Sequence, residues 1–126
     1  MAGAKTLIVL EDDPRARAAL CLVLSDWDFR TVAAANAGQA LKALHAGLEG
    51  VAAIITDFDL GPGIDGVRES LEILNAGVSA PVLVISGSLH GKAAEAAGLA
   101  GFNFLPKPVA PEDIKRWLDA EIETAA

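Results

Sequence analysis

Acidic, hydroxyl and amine side chains follow four of the five apolar stretches of this sequence, and together they could carry out phosphoryl chemistry. Glu11 and Asp12 come directly after the first stretch, and Asp57 ends the third. Ser86 ends the fourth, and Lys107 lies between two prolines after the fifth. Phosphoryl transfer mainly requires positioned groups and neutralised charge, so acids with a cation, a lysine and a hydroxyl are a sufficient set. We predict that Asp57 accepts a phosphoryl group.

Each of these residues also has an ordinary structural explanation when it is taken alone. Glu11 and Asp12 could belong to a solvated loop, and Asp57 could be a turn residue. Lys107 could be a surface lysine in a rigid loop, and Ser86 could begin a helix. The functional interpretation therefore depends on whether the fold brings these groups to one place.

The apolar pattern predicts five strands that alternate with five helices. Short runs rich in Val, Ile and Leu are typical of strands that are buried on both faces. We predict strands at residues 6–10, 29–33, 51–57, 81–85 and 102–105. The predicted helix starts are marked by Asp13-Pro14, Asn36, Asp65 and Pro111, because capping side chains and proline favour the first turn of a helix.

Two apolar stripes indicate which faces of the second and third helices are buried. The expected buried residues are Ala37, Leu41, Leu44 and Leu48 in the second helix, and Val67, Leu71 and Leu74 in the third.

The alternation of buried strands with helices predicts an α/β fold with a parallel sheet. Right-handed crossovers leave few topologies, and five strands favour the doubly wound order 2-1-3-4-5 of a flavodoxin-like three-layer α/β/α fold. That order brings the C-terminal ends of strands 1, 3, 4 and 5 to one edge of the sheet, where Glu11, Asp12, Asp57, Ser86 and Lys107 then converge. We expect residues 1–126 to form a single domain.

The acids at this edge predict a cation site. Close carboxylates disfavour each other's ionisation unless a cation lies among them. Oxygen ligands with open positions suit Mg²⁺, which retains waters and binds phosphate. We predict that Glu11, Asp12 and Asp57 bind Mg²⁺, and that the backbone carbonyl of Asp59 supplies a further oxygen.

The composition excludes several classes of function. The net charge is −7 and the pI is about 4.6, which argue against direct binding to nucleic acid or to an anionic membrane. The apolar runs are too short to span or insert into a membrane, and the N-terminus lacks the pattern of a signal peptide. A single cysteine is typical of a reducing compartment, so we expect a cytoplasmic protein.

As a set, these motifs resemble the receiver domain of two-component response regulators over residues 6–122. The motifs are Leu10-Glu11-Asp12-Asp13-Pro14, Thr56-Asp57 with the loop to Asp65-Gly66, Ile85-Ser86-Gly87 and Phe104-Leu105-Pro106-Lys107-Pro108. The loop from Leu60 to Gly66 and the segment from Leu105 to Val109 resemble receivers that are attached to hybrid histidine kinases.

The resemblance implies a role for each matching residue. Glu11 and Asp12 would be the metal-binding acid pair, and Asp57 would take phosphate from a histidine kinase or a histidine phosphotransfer protein. Lys107 would pair with Asp57 and then with the phosphoryl group, and the Lys107–Pro108 bond would be cis. The residues implied to tune the lifetime of the acyl phosphate are Asp59 and Ser88.

The resemblance also implies a conformational switch. Phosphate on Asp57 would draw Ser86 inward, and Phe104 would move into the vacated space. The surface formed by helix 4, strand 5 and helix 5 would then change for an unknown output partner. DNA-binding receivers that dimerise through this surface usually have an acid and an arginine in strand 5, but this chain has Asn103 and no arginine there.

Two other functions are compatible with parts of the pattern. Asp57-Phe58-Asp59 resembles the first motif of haloacid-dehalogenase-type phosphatases, in which the first acid is the nucleophile and the second a general acid. That family needs an acid pair on a strand end after its lysine, whereas only Glu112-Asp113 follow here, at a predicted helix start. A binding module with the same fold but no phosphorylation is the third possibility, although no key position is lost.

Overall fold

The polypeptide folds as five strands and five α-helices in strict alternation over the residues that the structure describes, 5–44, 47–87 and 91–125. The structure is a computed structural model. In chain order the elements are β1 (Thr6–Leu10), α1 (Pro14–Ser25), β2 (Arg30–Ala34), α2 (Ala37–Ala43), β3 (Val51–Asp57), α3 (Gly66–Asn75), β4 (Val82–Ser86), α4 (Lys92–Ala100), β5 (Asn103–Pro106) and α5 (Pro111–Ala125).

All four strand pairings are parallel, and the strand order is β2-β1-β3-β4-β5. This confirms the predicted α/β class and the doubly wound topology. β1 and β3 have the predicted bounds, whereas β2, β4 and β5 each begin and end one residue later than predicted. Strand ends are where hydrogen-bond assignments differ by a residue or two.

Helices cover both faces of the sheet, and side chains alternate between two cores along each strand. On one face, α1 and α5 pack over a core that includes Leu7, Val9 and Ile55. On the other, α2, α3 and α4 pack over a core that includes Ile8 and Ile54. In the part of the chain that the structure describes, no helix combines the length and apolar character needed to cross a bilayer.

The second helix is shorter than predicted. It ends at Ala43, because Leu44 leaves the helical region with φ −81 and ψ 81. Leu48 lies in a short 3₁₀ turn, Leu48–Gly50, rather than in the helix. Leu44 and Leu48 are still partly buried against the core beneath α2 and α3, so their spacing reflected tertiary packing and not a continuous helix.

The buried face of the third helix differs from the predicted stripe. Val67 is buried as expected, but Leu71 is 39% exposed and Leu74 is only half-buried. Ser70 and Ile73 occupy the buried positions instead. The prediction is therefore wrong at Leu71, whereas Leu74 still packs against the core. It also missed Ile73, as well as Gly66 and Ser70, which lie on the buried face although they are not large apolar residues.

Gly66 sets this orientation by bringing the start of α3 against the end of β3. Its N–H donates to the carbonyl of Phe58 at 2.7 Å. A Cβ at this position would overlap the carbonyl oxygen of Asp57 and the hydroxyl of Thr56. Only a residue without a side chain allows α3 to approach the end of β3 this closely.

Gly66→Ala should therefore destabilise the protein by about 2 kcal/mol or more, because the added methyl group overpacks a backbone contact. Gly98→Ala is a matched control, since a Cβ at that position in α4 meets nothing within 4 Å. The control should gain up to about 1 kcal/mol from helix propensity. Urea unfolding measures both changes, and equal stabilities of the two variants would contradict the close approach at Gly66.

Candidate functional site

Three carboxylates meet at the C-terminal edge of the sheet. Glu11 and Asp12 directly follow β1, and Asp57 is the last residue of β3. β1 and β3 are neighbours in the sheet. One potential ligand atom from each of these residues lies within 4.8 Å of the other two. The predicted convergence of the acids is therefore present in the structure.

Glu11 is the most buried of the three acids, with 8% of its surface exposed. Its Oε2 atom has no hydrogen-bond partner among the described residues. Burial, followed by a hydrogen bond to Asp57 and the charge of Asp57, raises the pKa of Glu11 from 4.5 to about 7, while Lys107 opposes the shift. A divalent cation would compensate a buried carboxylate oxygen that accepts no hydrogen bond. The oxygen ligands of the three acids therefore fit Mg²⁺.

Lys107 provides the positive charge at this edge. Its Nζ lies 3.2 Å from Oδ2 of Asp57, and its side chain is 44% exposed. Its backbone N–H donates to the carbonyl of Ser86 at 2.9 Å, and the Lys107–Pro108 bond is cis, as the resemblance implied. Because the ammonium is nearly half exposed, solvent screens the pair, and the contact serves to position charge more than to stabilise the fold.

An apolar cavity of about 50 Å³ lies beneath the charged groups. Glu11, Asp57 and Lys107 line it. Its remaining walls are Leu10, Ala16, Leu20, Ile55 and Ile85. The apolar walls exclude water from one side of the buried Glu11 carboxylate, in line with burial as the main cause of its raised pKa.

Ser86 and Phe104 lie on the opposite face of the sheet from this cavity. Ser86 ends β4 and is 1% exposed. The parallel register pairs Val84 with Phe104, and Ser86 with Pro106. Since side chains alternate along a strand, Ser86 and Phe104 share the face of Val84, which belongs to the core beneath α2, α3 and α4. Phe104 is half-buried there.

The remaining predicted site residues are Asp59 and Ser88. Asp59 is exposed just after β3 and forms an isolated β-bridge with Asp65. That bridge closes a loop in which Leu60 N–H donates to the carbonyl of Ile64 at 3.1 Å. The metal-binding role of the Asp59 carbonyl stays a prediction. Ser88 lies outside the described residues.

Two tertiary contacts, the first of them at the site, were missed in the sequence. The guanidinium of Arg17 donates to the carbonyl of Glu11 at 2.9 Å. The only signal for it was a basic residue in the first turn of a helix, where positive charge is disfavoured. The indole N–H of Trp117 donates to Oδ1 of Asn103 at 2.9 Å and joins α5 to the edge strand β5. In the sequence, Asn103 is informative only as a position where DNA-binding receivers have an acid.

Comparison with known proteins gives a consistent result. The family model for the response regulator receiver domain matches residues 7–119. A putative two-component response regulator of Arabidopsis thaliana, ARR21, is 27% identical over 110 residues, which are 87% of this chain. The chain spans only 18% of the length of that curated relative.

Two solved structures are similar over nearly the whole chain. A response regulator receiver domain protein from Clostridium thermocellum has a TM-score of 0.83 at 19% identity, with 96% of each chain covered. The N-terminal domain of an uncharacterised protein from Wolinella succinogenes has a TM-score of 0.76 at 30% identity, with 98% of this chain and 97% of that chain covered.

Without divalent cations, Glu11 should reduce the stability of the fold as the pH rises. Its pKa increases from 4.5 to about 7 on folding. Between these values the folded state binds more protons than the unfolded state, so its stability falls as the pH rises. Glu11→Gln lacks this titrating group. The melting temperature of the variant minus that of the wild type should therefore increase as the pH rises from about 4.5 to about 8. Thermal unfolding in a chelating buffer tests this, and a pH-independent difference would contradict the shifted pKa.

Proposed function

Because the chain belongs to the family of response regulator receiver domains, we propose that Asp57 accepts a phosphoryl group from phosphohistidine. The donor is a histidine kinase or a histidine phosphotransfer protein. The observation that supports this proposal is the arrangement around Asp57, which combines two further carboxylates within 4.8 Å and the Lys107 ammonium at 3.2 Å.

The transfer needs only Asp57 as a covalent participant. A carboxylate oxygen of Asp57 forms a bond to phosphorus while the bond from phosphorus to the histidine nitrogen breaks. The bonding electrons leave with the imidazole, which takes a proton. Lys107 pairs with Asp57 beforehand and then with a phosphoryl oxygen, so it balances negative charge throughout the step. The Ser86 hydroxyl donates a hydrogen bond to another phosphoryl oxygen.

Glu11, Asp12 and Asp57, together with the backbone carbonyl of Asp59, would hold the Mg²⁺ ion. When bound, Mg²⁺ neutralises charge that develops on the phosphoryl oxygens. Glu11 needs to lose its proton to act as a ligand, so its raised pKa makes metal binding stronger at neutral pH than in acid.

The response to phosphorylation passes through Ser86 and Phe104. Ser86 moves toward the phosphoryl group, and Phe104 follows into the vacated space. Both residues face the core beneath α4, so the rearrangement changes the surface formed by α4, β5 and α5, where the output partner binds. We propose that this partner is a protein in the cytoplasm. The acidic chain is not suited to bind nucleic acid or to insert into a membrane.

The phosphatase alternative is not supported by the comparisons, and the site argues against it. Its downstream acid pair would be Glu112 and Asp113, which lie in the first turn of α5 and not at the end of a strand. Its first motif would also begin the fold, whereas Asp57 ends the third strand along the chain.

The proposal predicts that acetyl phosphate with Mg²⁺ labels the protein at up to one equivalent and that Asp57→Asn abolishes the label. An amide cannot form the acyl phosphate. Asp59→Asn distinguishes the two functions, because it should keep stoichiometric labelling in a receiver but would remove the general acid of a phosphatase. Intact-protein mass spectrometry and release of phosphate from a phosphomonoester are the measurements. Persistent label on Asp57→Asn, or release of many equivalents of phosphate, would contradict the proposal.

Mg²⁺ should also stabilise the folded protein, because the acids are gathered only in the native state. At a concentration about 100-fold above the dissociation constant, the gain is about 2.7 kcal/mol. Asp12→Asn should remove most of this gain. Thermal unfolding with and without millimolar Mg²⁺ at constant ionic strength measures it, and equal shifts for the wild type and the variant would argue against the site.

A further inference from the structure

The backbone of Glu11 is held on both sides by hydrogen bonds to neighbouring elements. Its N–H donates to the carbonyl of Ala34 at the end of β2, at 3.0 Å. Its carbonyl accepts a hydrogen bond from the Arg17 guanidinium of α1, at 2.9 Å. The backbone that presents the acid pair is therefore fixed by two elements outside the β1–α1 loop.

The position of Arg17 is unusual for a helix. Arg17 lies at the start of α1, near the positive end of the helix dipole, and the first turn of this helix contains no acidic residue. A cation is disfavoured there unless another contact compensates. Arg15 lies in the same turn with an exposed side chain, whereas Arg17 is half-buried and reaches back six residues to Glu11.

We propose that Arg17 is a positioning residue for the metal-binding acids. Its guanidinium holds the Glu11 carbonyl, and this contact keeps the carboxylates of Glu11 and Asp12 beside Asp57 although the three acids repel one another. Without the guanidinium, the loop after β1 can turn the acid pair away from Asp57 and relieve the repulsion. The inference rests on the proposed function in one respect, since it requires that these acids bind Mg²⁺.

The direction in which the Mg²⁺ affinity changes distinguishes a positioning role of Arg17 from an effect of its charge alone. Arg17 carries a positive charge near a cation site, so loss of that charge alone would strengthen Mg²⁺ binding. Loss of a positioning contact would weaken it instead. Arg15→Ala removes an equal charge from the same helical turn without removing a contact to Glu11, and it is the matched control.

The test is to measure the dissociation constant of Mg²⁺ by isothermal titration calorimetry at constant ionic strength. The proteins compared are the wild type, Arg17→Ala, Arg17→Lys and Arg15→Ala. We expect Arg17→Ala to raise the dissociation constant about tenfold, as loss of an outer contact to a metal ligand typically does. Arg17→Lys retains one donor and should lie between Arg17→Ala and the wild type. Arg15→Ala should bind as tightly as the wild type or slightly more tightly.

A second measurement distinguishes positioning from damage to the fold. Labelling by acetyl phosphate should need more Mg²⁺ in Arg17→Ala but reach the wild-type rate at saturation, whereas a general loss of structure would lower the saturated rate. If Arg17→Ala fails to fold, Arg17→Lys compared with Arg15→Lys decides the same question.

Equal Mg²⁺ affinity in Arg17→Ala and Arg15→Ala would overturn the role of Arg17 and leave the proposed metal site intact. Absence of Mg²⁺ binding by the wild type would instead overturn the metal site itself, so the two failures are distinguishable.

Discussion

Repulsion among three carboxylates at a partly buried sheet edge is the constraint on which the site depends. Glu11, Asp12 and Asp57 are brought within 4.8 Å by the pairing of β1 with β3. One lysine lies beside Asp57, and burial, followed by the hydrogen bond and the charge of Asp57, raises the pKa of Glu11 to about 7. Repulsion among the acids lowers the stability of the fold, and the proposed Mg²⁺ ion would relieve it.

The predicted site residues lie on both faces of the parallel sheet. Asp57 and Lys107 line a cavity on the α1 side, whereas Ser86 and Phe104 share the face covered by α3 and α4. If Asp57 is phosphorylated as proposed, the effect on Phe104 has to be transmitted from one face of the sheet to the other. Ser86 is suited to this, because it ends β4 next to both the edge and the core.

Much of the fold was predictable because its local signals agree with its tertiary structure. Apolar runs marked β1 and β3 correctly, and Asp13, Asn36 and Asp65 accept hydrogen bonds from backbone N–H groups at the helix starts as expected. The end of α2 and the buried face of α3 were not predictable in this way. Leu48 and Leu71 follow helical spacing, but the close approach at Gly66 and the bend at Leu44 decide which side chains reach the core.

The sequence alone determined which chemical groups the protein has and, through the order of its strands, the sheet edge at which they meet. This follows because parallel strands buried on both faces leave few arrangements open. Only the tertiary structure decided the distances among these groups and the contacts made by Arg17 and Trp117. It also decided that Oε2 of Glu11 is buried without a hydrogen-bond partner among the described residues. Such contacts depend on how separate elements are oriented, and the spacing of residues along one element carries no record of that orientation.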